Sequence, residues 1–492
     1  MKRYLPARKM FLATCLSVLV ILTGCGGGSG GNGGSGSHDG PGKIDHVVII
    51  FQENRSPDNL FQDPVLIQRG ADIQNYGYTS NGTKVDLTPV PLQIGYDLGH
   101  SHSAFLDACD WNGTQCLMDG ADKIPCTGTG CPNNASYQYV SDPLIQPYYT
   151  MAETYTFSDR MFQTNEGPSF PAHQYILSGT SAVCVPGGNC PPGTTSSVFV
   201  EDNPIDDMRP DGNVWAGCLA PTSAVVNFID TSQPFPNSDY SEFNGPECFE
   251  HPTLTDVLDS SGLTWKYYAA MPGSIWTSPN VIEHMCQPTG SGNNITCNGP
   301  DWTGSNPKVV IEGTGAQVIA DIQNGQLANV TWIIPDGTAS DHPEGNKGLG
   351  PSWVASIVNA IGQSPFWADT AMIVTWDDWG GWYDHVPPMI HSTNSYEFGL
   401  RVPLIVISPY AKPAYVSHQV NDFGSILKFI EKTFSIPEIN PSVGYADSYA
   451  LGDMSDCFDF NQTPLTFTPI QAPVGKEYFL HNKAKPTPPD ND

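Results

Sequence analysis

Short apolar runs recur along the chain and end abruptly. "HVVIIF" (46–51), "VTWII" (330–334), "AMIVTW" (371–376) and "PLIVIS" (403–408) lack the alternation of a half-exposed strand, so each predicts a strand buried on both faces. "SWVASIVNAIGQS" (352–364) and "GSILKFIEKTFS" (424–435) repeat their apolar positions at helical spacing instead. Buried strands interleaved with helices predict an α/β fold, with a mainly parallel central sheet flanked by helices. From about 184 to 300 the chain is rich in Gly, Pro, Asn and Cys and its periodicity is weak, so that stretch reads as an insertion or cap.

The residues just past each strand are more informative than the strands themselves. The first run empties into Gln52-Glu53-Asn54-Arg55-Ser56, the second into "PDGTASDH", the third into Asp377-Asp378 of "WDDWGGWYDH" (376–385). In open α/β sheets, sites form at the carboxyl ends of strands. Adjacent carboxylates repel unless a cation lies beside them. On a solvated turn such a pair is commonplace, but here it directly follows a buried strand and precedes Gly-Gly, among Trp376, Trp379 and Trp382. Glu53, Asn54, Asp377 and Asp378 are therefore candidate metal ligands. Hard oxygens of this kind suit Ca²⁺, Mg²⁺ or Mn²⁺, and Zn²⁺ is also compatible. For Trp379, Trp382 and Tyr383, packing around the Gly-Gly turn is the expected role.

"NEGPSFPAHQYILSG" (165–179) places Ser169 just before Phe170-Pro171 and a helical pattern. Ser169 is either a nucleophile at a helix N-terminus, where free N–H groups favour an anion, or a plain capping serine; the pattern fits both. His100 in "DLGHSH" and His342 in "SDHPEG" lie in polar loops and are candidates for proton transfer and charge stabilisation. His284 in "NVIEHM" is a further candidate on a possible short helix. His38, His46, His173, His251, His391 and His481 read as structural.

The chain has 492 residues and a formal charge of −29, which argues against nucleic acid as a partner and requires a locally cationic site for any anionic substrate. Residues 1–24 have a charged start and the apolar core "FLATCLSVLVIL", followed by "LTGC" at 22–25. This resembles the signal of bacterial lipoproteins and implies lipidation of Cys25. On that reading residues 25–42 are a Gly/Ser-rich tether, 43–475 the folded domain and 476–492 a polar tail. The chain is then an exported lipoprotein held to a membrane by its N-terminal anchor, with Gly after Cys25 favouring the outer membrane. Apart from Cys15 and Cys25, eleven cysteines remain, which in an exported protein point to disulfides. Cys109/Cys116, Cys126/Cys131, Cys184/Cys190 and Cys286/Cys297 would each close a small loop, and an odd count leaves at least one over.

Taken in order, "HVVIIFQENRSPDNLF", "GPSFP", "SDHPE", "VTWDDWGGWYDHVPP" and "RVPLIVISPYAK" through "SILKFIEKTFSIP" resemble the bacterial phosphoesterase family that joins phospholipase C and acid phosphatase A, within the alkaline-phosphatase-like superfamily. The resemblance implies an alkaline-phosphatase-like fold and metal-assisted hydrolysis of a phosphate ester or phospholipid. It implies Glu53, Asn54, Asp377 and Asp378 as ligands of a divalent metal ion, Ser169 as the nucleophile, and His100, His342 and His284 as the histidines of the site. His102 stands where the family usually has Trp. Two other readings use the same cleft. One is a catalytically silent lipoprotein that binds a phosphorylated ligand, which would not need Ser169. The other is a sulfatase, whose "CxPxR"-like motif lacks its Arg in "SFPAH". Whether the ester is a monoester or a diester, and the oligomeric state, stay open.

Overall fold

The computed structural model describes residues 43–489, apart from 185–194, 206–214, 237–238 and 314–316. The leader, the tether and Cys25 lie outside the described residues. Eight strands form the central sheet: β1 (His46–Gln52), β2 (Thr156–Ser158), β3 (Trp265–Ala269), β4 (Val309–Ile311), β5 (Val330–Ile333), β6 (Thr370–Trp376), β7 (Leu404–Ile407) and β8 (Tyr415–Ser417), in the order β4-β3-β5-β1-β6-β7-β2-β8. Every pairing is parallel except the two made by β7. The mainly parallel sheet is as the sequence predicts. β1 lies between two partners, with Val47 in register with Val330 on one side and Ala371 on the other. That position explains its composition, since a strand covered on both faces has no solvent side to make polar.

Helices α1 (Ser169–Ser178) and α3 (Phe423–Phe434) pack on each other, while α2 (Gly350–Gly362) packs with the helices Gln146–Thr154, Gln317–Gln323 and Lys476–His481. The two predicted helices, 352–364 and 424–435, thus correspond to α2 and α3. Asp422 starts α3 through a capping box with Ser425. Among the described residues no helix is long and apolar enough to cross a membrane.

Two expectations need correction. The stretch 184–300 is not all insertion, because β3 within it is a strand of the central sheet; the rest does include a separate three-stranded sheet of Val198–Val200, Val226–Asp230 and Asp239–Gly245. "WKYYA" hides its burial behind Lys266, whose ammonium reaches out to Asn306 Oδ1 and the Pro307 carbonyl while its neighbours stay buried. Residues 476–489, read as a polar tail beyond the folded domain, pack against it. Phe479 is buried, the Thr487 N–H donates to Asp336 Oδ2 (3.1 Å), and the Gly337 N–H donates to the Thr487 carbonyl (3.0 Å). The predicted strand "PLIVIS" is β7, which runs antiparallel within this mainly parallel sheet, so its carboxyl end faces away from the strand tips that carry polar residues.

Disulfides join Cys109–Cys116, Cys126–Cys131 and Cys286–Cys297 as expected, and also Cys218–Cys248. Cys184 is disulfide-bonded, while Cys190 lies outside the described residues. Cys457 is a buried free thiol, the odd cysteine that the count requires.

Candidate active site

The carboxyl ends of β1 and β6 are laced together by their own backbones. The Asp377 N–H donates to the Gln52 carbonyl (2.8 Å), and the Arg55 N–H donates to the Asp378 carbonyl (3.0 Å). Between them the Asn54 N–H donates to Asp377 Oδ1 (2.9 Å). Asn54 holds φ 59°, a left-handed conformation that Asn tolerates better than most residues, and it aims the Glu53 and Asn54 side chains inward. Across the gap Gly380 has φ 63°, and a Cβ there would lie 2.5 Å from the Asn54 carbonyl oxygen. Gly380→Ala should therefore destabilise the fold by roughly 2–4 kcal/mol, from backbone strain plus overpacking, measurable as a lower midpoint in denaturant.

Glu53, Asp377 and Asp378 are all buried. Burial, and then the Asp377 charge, holds the Glu53 carboxyl far above its usual range; the same two causes, in the same order, raise Asp378. Burial pushes Asp377 up as well, but the His173 ring and hydrogen bonds, one of them from the Asn54 N–H, more than reverse it. Among the described residues, none donates a hydrogen bond to the buried Glu53 Oε2, Asn54 Oδ1 or Asp377 Oδ2. Buried oxygens that want a positive partner fit a divalent cation.

His173 joins this group, although its sequence reads as structural. Its Nε2 is 3.1 Å from Glu53 Oε1 and 3.8 Å from Asp377 Oδ2, and one ligand atom each from Glu53, His173 and Asp377 lies within 4.8 Å of the others. Burial lowers its pKa to about 4, so the ring is neutral and able to ligate. The signal was there: Ser169 and His173 are four apart, on one face of α1.

Ser169 opens α1, and its hydroxyl donates to Asp378 Oδ2 (3.3 Å), whose Oδ1 accepts the Gly380 N–H (2.7 Å). The expected set of free helix N–H groups is smaller than the sequence suggests. The Phe170 N–H goes to Asn203 Oδ1 (2.9 Å), Pro171 has none, and the Ala172 N–H goes to the Pro168 carbonyl (3.3 Å). Ser169's own N–H is what the first turn has left to offer an anion.

His100 and His342 reach the centre, their rings 6.0 Å apart. His100 Nδ1 is 2.7 Å from the Leu98 carbonyl, which can only accept, so Nδ1 carries the proton. Its Nε2 then accepts from Asn54 Nδ2 (3.1 Å), turning Asn54 Oδ1 away from His100. Burial, with the His100 ring next, lowers His342 to about 3 and keeps it neutral. His284 does not join them. Its Nδ1 is 2.8 Å from Glu250 and its Nε2 3.2 Å from Asp256, a half-exposed triad whose carboxylates overcome its partial burial and raise its pKa to about 9.

A second acidic group, Asp58, Asp384 and His385, has metal-like spacing. Arg401 already fills that role: its Nε and Nη2 hold both Asp384 oxygens (2.8 and 2.9 Å), and Nη2 approaches Asp58 (3.4 Å).

Comparison with known proteins places the chain in a family. Residues 44–437 match the phosphoesterase family. A hemolytic phospholipase C of Pseudomonas aeruginosa is 26% identical over 464 residues, 85% of this chain and 56% of that protein. Phospholipase C A of Mycobacterium tuberculosis is 25% identical over 472 residues, 87% of this chain and 79% of that protein. The chain thus spans little more than half of the first relative and about four-fifths of the second. Among solved structures, an alkaline phosphatase superfamily protein of Vibrio parahaemolyticus overlays with a TM-score of 0.34 at 10% identity, covering 83% of this chain and 71% of that one, too loosely to carry an argument. With the family match covering most of its length, the chain belongs to the phosphoesterase family.

Proposed function

We propose that this protein is a metal-dependent hydrolase of phosphate esters with Ser169 as its nucleophile. The observation that carries the reading is the Ser169 hydroxyl on Asp378 Oδ2, at the edge of a buried carboxylate cluster that lacks positive partners. Glu53, Asp377 and His173 would hold the cation, with Asn54 Oδ1 and Asp378 beside them, and the ion supplies electrostatic stabilisation of the phosphoryl oxygens.

The chain's own groups account for the proton movements. Asp378, which a cation beside it would hold ionised, takes the Ser169 proton at Oδ2 as Oγ attacks phosphorus. The Oγ–P bond forms, the ester P–O bond breaks, and the leaving alkoxide takes up a proton from solvent. Water then attacks the phosphoseryl group, giving one proton to the neutral His342 ring, which passes it on to solvent; the P–Oγ bond breaks and Oγ regains the proton held by Asp378. His100 orients Asn54 rather than donating to substrate, a narrower part than charge stabilisation.

His173→Gln should weaken divalent-metal binding by about 10–100-fold, read by calorimetric titration of the stripped protein. The named activities of the relatives support a phospholipase-C-type diester, and the carboxylate–serine site suits a monoester equally. Assaying p-nitrophenyl phosphate beside p-nitrophenyl phosphorylcholine, with and without chelator, separates them. If a folded, metal-supplied sample releases neither product, the reading fails in favour of a phosphate-binding lipoprotein. We also propose export and lipid anchoring through Cys25, with a membrane-associated phosphate ester or phospholipid as substrate. Cys25→Ser should move the protein from the membrane to the soluble fraction.

A further inference from the structure

Asp341 precedes His342, is fully buried, and has no part in the steps above. Its side chain and backbone together hold the tips of three strands. Oδ2 accepts the Tyr148 hydroxyl (2.8 Å) and the Trp376 indole N–H (3.0 Å). The backbone N–H donates to Gln52 Oε1 (3.0 Å), and the backbone carbonyl accepts two Arg55 N–H groups, from Nε (3.0 Å) and Nη2 (2.6 Å). Gln52, Arg55 and Trp376 each flank a member of the metal cluster: Gln52 precedes Glu53, Arg55 follows Asn54, and Trp376 precedes Asp377. The other carboxylate oxygen rests against Gly350 at the start of α2, where a Cβ would come within 2.3 Å of it. Asp341 is thus wedged between that helix and the cluster, with its acceptor used by two fixed aromatic donors.

We infer that Asp341 is a positioning residue that locks the His342 loop and the tips of β1 and β6 into one register, so that the metal ligands and His342 converge. It works through its neighbours and touches neither substrate nor cation. The contacts have two consequences. For Tyr148 and Trp376 the acceptor oxygen matters more than the charge, because both donors to Oδ2 are neutral groups; the charge instead faces the buried Arg55 guanidinium. Loss of the side chain should affect metal affinity as well as turnover, because Trp376 is bonded to Asp377.

The inference rests on the proposed hydrolase reading, so the test includes a readout that needs no turnover. Asp341→Ala and Asp341→Asn are compared with wild type by Mn²⁺ titration, by kcat and KM, and by thermal melting. Asp341→Ala is expected to lose about 10-fold in Mn²⁺ affinity and about 100-fold in kcat, with KM within about threefold. Asp341→Asn, which keeps an oxygen for Tyr148 and Trp376, should recover to within about 10-fold of wild type in kcat and nearly fully in Mn²⁺ affinity. Tyr148→Phe removes one donor and keeps the ring, and should cost about 3–10-fold in Mn²⁺ affinity or kcat; it decides the matter if Asp341→Ala does not fold. A folded Asp341→Ala with wild-type Mn²⁺ affinity and kcat overturns the inference. So does an Asn variant as impaired as the Ala variant, which would make the charge the active feature. If wild type hydrolyses no ester, the hydrolase reading fails, and the Mn²⁺ titrations still decide the role of Asp341.

Discussion

Ser169→Ala should abolish ester hydrolysis, lowering kcat by at least about 10³-fold, while the protein still folds and still binds its metal. The size of the loss comes from the route: without Oγ there is no covalent first step, and what remains is attack by water in a site arranged around a serine. The stability cost should be small, within about 1 kcal/mol. The Ser169 hydroxyl donates to Asp378, and that carboxylate keeps the Gly380 N–H on its other oxygen. Metal titration of the variant should match wild type, since Glu53, Asp377 and His173 are untouched. Trapping a slow substrate on wild type and finding phosphoserine at position 169 by mass spectrometry is the positive counterpart. A variant that keeps most of its activity would remove the covalent intermediate and recast Ser169 as a helix-start residue that only orients Asp378.

The parts of the site legible in the sequence were those encoded locally. Glu53-Asn54 and Asp377-Asp378 each come after a run of buried, mostly β-branched or aromatic residues, so chain position alone put both pairs at strand ends, and parallel pairing of β1 with β6 brought them together. The small disulfide loops were legible for the same reason. Cys218–Cys248 spans 30 residues, and nothing local announces it. His173 failed as a reading because its neighbours on α1 are apolar and an inward-facing helical histidine is ordinarily core; its role depends on Glu53, 120 residues earlier. His284 failed in the opposite sense. Its polar surroundings suggested a site, but Glu250 and Asp256 consume both ring nitrogens. Strand β3 escaped because Lys266 interrupts its apolar run, and only pairing with β4 and β5 makes "WKYYA" a core strand.

Stripping the metal should leave a protein that loses stability as pH rises above 7, by up to about 1.4 kcal/mol per pH unit for each raised carboxyl for as long as it stays protonated in the fold. Glu53 and Asp378 bind protons more tightly folded than unfolded, both through burial first and neighbouring carboxylates second. Above the unfolded carboxylate range the unfolded chain has already released those protons and the folded one has not, so raising the pH favours unfolding until the folded groups ionise too. Asp377, shifted downward, contributes only below its ordinary value of 3.8 and does not offset this. His173 and His342, with lowered values of about 4 and 3, make stability rise with pH only up to about 6.5, which is why the window begins at pH 7. His284 would lose its own stabilisation as pH rises towards about 9, but it does so with or without metal. The difference between chelated and metal-loaded melting curves therefore isolates the cluster. Glu53→Gln sharpens the test, because it removes the cost of keeping one carboxyl protonated in the fold while the unfolded chain ionises it. At pH 8 the chelated variant should melt higher than the chelated wild type, by about 1–3 kcal/mol in stability, while its hydrolysis is lost. Opposite signs for stability and activity are what a cation-dependent site demands: without the ion its ligands hold the fold under electrostatic strain, and with it they become the reason the chemistry works. A chelated Glu53→Gln protein less stable than wild type would mean that Glu53 is compensated within the chain, and the case for a cation there would fall.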